Sequence, residues 1–305
     1  GFIEDLQARW EGRGELGMMT LWGELNRHTH GLPVGVTTIL AARPAMGKSI
    51  FALNIALPAA MRGKRVLLFS LEMSKAQIHR RNVAALGNIP HDWLMDPAAD
   101  HDSDYWAELT ATVKRLRGIP LYVDDCADMS IGRLQARARA MHIREPIDLI
   151  VVDHIHDMAI DPRNPARQEY GRILQGLNVL AKEFNIPLLA LAQLARPPKD
   201  KTVQRPTMSD LRESGELEQK AGLILMLHRD DYYNRDSVDK GVVEVIVAKG
   251  RDIEGGRIFR LRNNYQFMRA DDFAVDDDLR FEPKPQTKKR GGLASHYETE
   301  REREL

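Results

Sequence analysis

Eight residues, Ala42-Arg43-Pro44-Ala45-Met46-Gly47-Lys48-Ser49, have the types and spacing of a loop that holds phosphate. An apolar run over 37–41 precedes them and a helical pattern from Phe51 to Ala60 follows. Strand, tight turn and helix therefore come in the order that such a loop needs. Backbone N–H groups of the turn and the positive end of the helix can cradle nucleotide phosphates. Lys48 is placed to reach the β- and γ-phosphates, and the Ser49 hydroxyl to hold Mg²⁺. Alanine stands at position 42, where glycine usually eases the turn out of the strand, so the backbone there must have a φ that alanine accepts.

Two carboxylates fit the same chemistry. Leu149-Ile150-Val151-Val152-Asp153 reads as a buried strand that delivers Asp153 at its C-terminal end, where it would orient Mg²⁺ through water. The strand pattern Val66 to Leu71 ends in Glu72. A carboxylate there can position or deprotonate an attacking water. It can equally support the start of the helix after Ser74, where acidic residues are favourable, and the residues alone leave both roles open. His154 and His156 follow Asp153 with strand spacing, which turns them to opposite faces and argues against a zinc pair. Lys249 and Arg251 alternate along a strand pattern and, on their own, read as a solvated basic face.

The elements that must bring these groups together alternate in the α/β manner. Apolar strand candidates are 37–41, 65–71, 119–123, 147–153, 187–192 and 222–227, with helical patterns at 50–62, 74–86, 103–117, 130–143 and 166–185. Gly171 and Gly176 weaken the last helix by roughly 1 kcal/mol each. Residues 242–249 and 257–262 form a hairpin pattern. The prediction is one α/β domain over 19–275, with a mostly parallel central sheet flanked by helices and a C-terminal β-hairpin. An amphipathic helix and its connection occupy 1–18, and a polar, disordered tail occupies 276–305.

Composition narrows the function classes. With 44 basic and 44 acidic residues, any nucleic-acid contact must come from a local cluster of Lys and Arg. The single cysteine, Cys126, excludes an internal disulfide and a cysteine-based zinc site and suits a reducing compartment. No apolar run approaches the roughly 18 residues of a membrane span. The expectation is a cytoplasmic protein with no membrane partner.

The blocks Arg43 to Ser49 and Phe69-Ser70-Leu71-Glu72-Met73-Ser74 together resemble the RecA-like ATPase domain of DnaB-family replicative DNA helicases. Ala190-Leu191-Ala192-Gln193-Leu194, Ser209 to Gln219 and Ala248-Lys249-Gly250-Arg251 agree with it in order, so the resemblance covers about residues 16–270. The Ser-Asp-Leu-Arg-Glu-Ser-Gly block is its most specific part, and residues 2–13 sit where the family has a linker helix. Ala42 and the Asp153-His154-Ile155-His156 stretch look more like a phage or divergent member of that family than a bacterial housekeeping one.

By that resemblance, the fold would be a RecA-like P-loop NTPase. The resemblance also implies that Arg43, Pro44, Ala45, Met46, Gly47, Lys48, Ser49 and Ile50 bind ATP, with Arg81 near the base and Ser49 and Asp153 on Mg²⁺. Glu72 becomes the catalytic base and Gln193 the γ-phosphate sensor, while Lys249 and Arg251 come from the neighbouring subunit as a finger pair. Arg212, Glu213, Ser214 and Gly215 match a strand-gripping loop, and Arg163 and Arg167 lie in a second candidate DNA loop. Few aromatics fall in either loop, so contact should track the phosphate backbone. The implied activity is ATP-driven 5′-to-3′ travel on single-stranded DNA and unwinding of forked DNA by a hexameric ring, with a helicase loader and a primase as further partners. The alternatives are a RecA- or KaiC-like ATPase, and an ATP-switched loading or assembly protein that does not unwind.

Overall fold

The structure, a computed structural model, describes residues 16–99, 105–195, 204–211 and 215–273, together with Ile3, Gln7, Trp10 and Glu11. Ile3, Gln7 and Trp10 are helical, and the Glu11 N–H donates to the Gln7 carbonyl. The rest of the expected linker helix, and the expected tail, lie outside the described residues.

Strands β1 (Gly17–Met18) and β2 (Leu32–Pro33) pair with each other on either side of helix α1 (Gly23–Thr29). The main sheet contains β3 (Thr37–Ala42), β4 (Val66–Ser70), β5 (Leu121–Asp124), β6 (Leu149–Asp153), β7 (Leu188–Gln193), β8 (Leu223–His228), β9 (Val242–Gly250), β10 (Arg257–Asn264) and β11 (Arg269–Asp271). Their spatial order is β11-β10-β9-β8-β3-β7-β6-β4-β5. The strands from β8 to β5 run parallel and the last three are antiparallel. The expected hairpin, β9 and β10, belongs to the same sheet. It pairs through β9 onto β8 and widens the sheet.

Helices α2 (Lys48–Met61), α3 (Lys75–Gly87), α4 (His91–Met95), α5 (Tyr105–Leu116), α6 (Ile131–Arg144), α7 (Ala166–Phe184) and α8 (Gly215–Lys220) connect or cover these strands. A parallel sheet covered on both faces needs strands apolar on both sides, and β3, β6 and β8 are buried throughout. Alternation then divides the core in two: Leu40, Val151 and Leu225 pack on one face, Ile39, Ile150, Val152 and Ile224 on the other. Both glycines of α7 are close-approach positions. A Cβ on Gly176 would lie 2.4 Å from Ile131 Cγ1, and one on Gly171 would lie 2.8 Å from Glu216 Oε2. Neighbouring α6 and α8 are therefore the physical reason for residues that helix propensity disfavours.

The helix behind the phosphate loop is tied to the far edge of the sheet. Buried Asn54 on α2 donates to the Met268 carbonyl and accepts from the Ala270 N–H. Trp22 stacks on Phe51 and donates its indole N–H to the Ala270 carbonyl at 2.8 Å. Together these hold the turn at 265–267 against the loop preceding α2.

Candidate active site

The four parallel strands that lead into the phosphate loop, Glu72, Asp153 and Gln193 end on the same edge. Ala42 closes β3, Ser70 closes β4 two residues before Glu72, Asp153 closes β6 and Gln193 closes β7. Parallel strands put these C-terminal ends side by side, which is where open α/β sheets bind ligands. The result is an open cleft of about 300 Å³ lined by the phosphate loop, Ile50, Glu72, Arg81, Gln193 and Tyr265.

Ala42 is an ordinary extended strand residue, paired with Gln193 on one side and Leu227 on the other. It needs no positive φ, which explains why alanine is accepted there. The left-handed positions are Ala45 (φ 64°) and Gly47 (φ 91°). Gly47 is required twice over, because a Cβ there would lie 2.1 Å from the Tyr265 hydroxyl. Tyr265 was not visible as a site residue in the sequence. It is held by a 2.8 Å bond from its hydroxyl to the Met46 carbonyl, beneath the Arg229 guanidinium. Gly47→Ala combines a left-handed alanine with that clash, so nucleotide affinity is expected to fall about tenfold or more. Titration with a fluorescent ATP analogue measures this, and wild-type affinity in the variant would show that the loop does not depend on Tyr265.

Lys48 and Ser49 open α2 beyond Gly47. Burial pulls the Lys48 ammonium below its ordinary pKa, and Asp153, Glu72 and Asp157 oppose the shift. Asp153 is 3% exposed. Burial raises its carboxyl pKa, against a hydrogen bond with the Ser49 side chain and the charge of Lys48. Its Oδ1 is buried with no hydrogen-bond partner among the described residues. An orphaned carboxylate oxygen beside a serine hydroxyl is the donor set a hard divalent cation takes, so Ser49 and Asp153 fit Mg²⁺.

Glu72 is more exposed, at 59% of its side chain. The structure gives the start of α3 to other groups: Ser74 caps it with Gln77 in a reciprocal box. Helix capping therefore does not need Glu72, which faces the cleft instead. The Arg81 guanidinium, on α3, also lines the cleft and is pushed down from its ordinary pKa by burial.

The two histidines do not continue strand β6, which corrects the expected alternation. They lie in and beside a short 3₁₀ turn, Ile155–Asp157. His154 sits between two carboxylates, Nε2 at 3.7 Å from Glu72 Oε2 and Nδ1 at 3.4 Å from Asp157 Oδ2. Together the three side chains bring one imidazole nitrogen and two carboxylate oxygens within 4.8 Å of one another. His156 accepts the Gln193 backbone N–H on Nδ1 at 3.2 Å. Burial, with His154 and Lys48, lowers its pKa to about 4.

The folded state therefore holds fewer protons on His156 than the unfolded chain, whose value is 6.5. Its contribution to stability is complete above pH 6.5 and is lost as pH falls toward about 4, a difference of up to about 3 kcal/mol. Denaturant unfolding between pH 7.5 and 4.5 should show this slope, flattened in His156→Gln. Titration of the His156 ring near pH 6.5 by NMR would contradict it.

The other predicted groups lie elsewhere. Arg43 contributes backbone to the cleft, but its guanidinium is buried against Ala195, Gln204 and Asp210. Lys249 and Arg251 are at the opposite edge of the sheet: Lys249 pairs with Ile224, and the Arg251 N–H reaches the Gly222 carbonyl. The phosphate loop leaves beside Leu227, so Arg251 is roughly 16 Å or more from it along the strand direction. Lys249 donates to the carbonyls of Glu218 and Ala221, while the Arg251 side chain is exposed. Of the candidate DNA residues, Arg212, Glu213 and Ser214 lie outside the described residues. The structure does bring the two loops together at their edges: a Cβ on Gly215 would meet the Arg167 guanidinium at 2.3 Å. Arg163 is exposed and paired with Asp161 at 2.7 Å.

Comparison with known proteins agrees with this geometry. Residues 17–271 match the family described as DnaB-like helicase C terminal domain. The chain is 38% identical over 281 residues to the replicative DNA helicase DnaB of Pasteurella multocida, covering 90% of this chain and 60% of the relative. It is 37% identical over 243 residues to that of Geobacillus stearothermophilus, covering 78% and 53%. It thus spans between about half and three fifths of these curated relatives. Among solved structures it is similar to an ATPase domain, with a TM-score of 0.81 at 28% identity over 90% of this chain and 99% of that one. A second similar structure, a DnaB-like replicative helicase described with its interactions with primase, has a TM-score of 0.80 at 28% identity, covering 89% and 66%. By sequence and by fold, this chain belongs to the DnaB-like helicase C-terminal domain family.

Proposed function

We propose that this chain is the ATP-hydrolysing motor domain of a ring-forming replicative DNA helicase. The observation that carries the reading is the separation of its two half-sites. Lys48, Ser49, Glu72, Asp153 and Gln193 share one edge of the sheet, while Lys249 and Arg251 are at the other. A cation that cannot reach its own nucleotide can complete a neighbour's site, and such head-to-tail contacts close into rings.

Each residue then has a role. The loop N–H groups and Lys48 hold the phosphates of ATP. Ser49 and Asp153 hold Mg²⁺, which neutralises charge on the β- and γ-phosphates. Glu72 orients and deprotonates the attacking water, and Gln193 reads the γ-phosphate from the end of β7. Arg251 and Lys249 of one subunit stabilise the charge developing on the next subunit's nucleotide. Arg81 lies by the base. Arg212, Glu213, Ser214 and Gly215, flanked by Arg163 and Arg167, contact the DNA backbone.

The assembly is proposed to be a hexamer acting on single-stranded and forked DNA, with a loader and a primase as partners. The setting proposed is the bacterial cytoplasm, in a host or phage replication system. Among the described residues no helix is long and apolar enough to cross a membrane. A slow ATP switch would require a defective base or finger, and Glu72 and Arg251 are both present.

The test is steady-state ATP turnover with and without oligo(dT) across a salt series, with fork unwinding measured alongside. Turnover stimulated by DNA should weaken as salt rises, with a log–log binding slope of about −0.7 per phosphate contacted. Turnover indifferent to DNA at low salt, in a sample whose mass shows rings, would sink the motor reading.

A further inference from the structure

The guanidinium of the phosphate-loop arginine is engaged by the chain that follows β7. Arg43 is 4% exposed, and its guanidinium donates to three acceptors on two chain segments. Nε donates to the Ala195 carbonyl at 3.2 Å, one terminal nitrogen to the Gln204 carbonyl, and the other to Asp210 Oδ2 at 3.3 Å. Ala195 lies two residues beyond Gln193. Asp210 is one residue before Leu211, which is itself buried and adjoins Arg212. The acceptors are also bound to one another, since the Ala195 N–H donates to the Asp210 carbonyl at 3.0 Å.

The segment 204–211 is anchored on its other side as well. Arg205 makes a bidentate pair with Glu244 at 2.7 and 2.6 Å, and Glu244 is 2% exposed on β9. The Asp210 carboxylate also accepts the Thr207 N–H at 2.9 Å, which fixes the turn from which Leu211 leaves. A planar guanidinium has donors in a fixed fork, so three acceptors held this way are tied to one another and, through a buried side chain, to the backbone that carries it. That backbone is the phosphate loop itself.

We infer that Arg43 is a positioning residue that couples nucleotide state to DNA grip. It does so by clamping the chain after Gln193 and the root of the Arg212 loop to the phosphate loop. This rests on the proposed reading of Arg212 to Gly215 as a DNA contact. Displacement of the loop backbone on phosphate binding moves Asp210 and Leu211 directly, and tension on the DNA loop returns to the P-loop by the same three bonds. Linkage makes the effect reciprocal: the factor by which nucleotide changes DNA affinity equals the factor by which DNA changes nucleotide affinity.

The experiment measures that factor with the full chain. Oligo(dT) binding is titrated with a non-hydrolysable ATP analogue and with ADP, and analogue binding with and without oligo(dT). The wild type is expected to show a factor within the usual range of about 5 to 150. Asp210→Asn, which keeps the shape but removes the charge facing Arg43, should reduce the factor toward one. Its affinity for each ligand alone and its DNA-free turnover should stay within about threefold of the wild type. Arg43→Lys, whose single nitrogen cannot span acceptors now met by three separate guanidinium nitrogens, should lose coupling to a similar degree. The double variant should be no worse than the more affected single one.

An Asp210→Asn or Arg43→Lys protein with the wild-type factor overturns the clamp. So does a uniform loss of both affinities with the factor unchanged, because that is a structural defect and not a coupling one. If Asp210→Asn does not fold, Arg43→Lys decides alone. A wild-type chain that binds no oligo(dT) in any nucleotide state fails the DNA reading itself, a different result from intact binding with uncoupled variants.

Discussion

Arg251→Ala is expected to lower DNA-stimulated ATP turnover by about 10³-fold or more, the range in which an arginine finger acts. Its effect on nucleotide affinity should be small, because the residue does not line its own subunit's cleft. The register of β9 on β8 places it beyond Gly222, at the edge of the sheet opposite Lys48. The decisive measurement mixes two dead proteins, Arg251→Ala and Lys48→Ala. Subunit exchange in a ring creates some interfaces with an intact phosphate loop from one variant and an intact finger from the other. Partial recovery of turnover on mixing is therefore expected. No recovery, in mixtures shown by mass to form mixed rings, would mean that Arg251 does not serve a neighbour.

Glu72→Gln should abolish hydrolysis while sparing binding. Loss of a general base costs typically 10²- to 10⁴-fold, and the amide retains the size of the carboxylate. Single-turnover hydrolysis should fall by about that factor, with the dissociation constant of an ATP analogue changed less than about threefold. The opposite pattern, normal turnover with a lower melting temperature, would return Glu72 to the helix-supporting role. The structure makes that pattern unexpected, since Ser74 and Gln77 already satisfy the first turn of α3.

Much of this was readable along the chain. The strands from β3 to β8 are apolar runs with breaks between them, so their existence and approximate bounds followed from the residue pattern alone. The P-loop was legible because phosphate binding needs glycine, lysine and serine at fixed spacing on one turn, so its whole signal is local. Asp153 stood out because four apolar residues before it read as a buried strand ending in a carboxylate, whereas Gln193 came only from the family resemblance. The family blocks, from Ser209 to Gln219 and from Ala248 to Arg251, supplied roles that spacing alone left open.

Other features required contacts between residues far apart in sequence. Tyr265 reaches Met46 across 219 positions, and nothing in its own neighbourhood marks it as part of a nucleotide site. Arg43 reads as a phosphate-loop residue, yet its guanidinium is bound 152 to 167 positions away. His154 and His156 looked like strand residues until a 3₁₀ turn aimed one at Glu72 and the other at Gln193. The sequence by itself determined the chemistry available: a phosphate loop, a strand-end aspartate, a glutamate and a basic pair, each encoded within a few residues. Only the tertiary structure decided which of them share an edge of the sheet and which lie at the other, because strand order and register depend on packing across the whole domain.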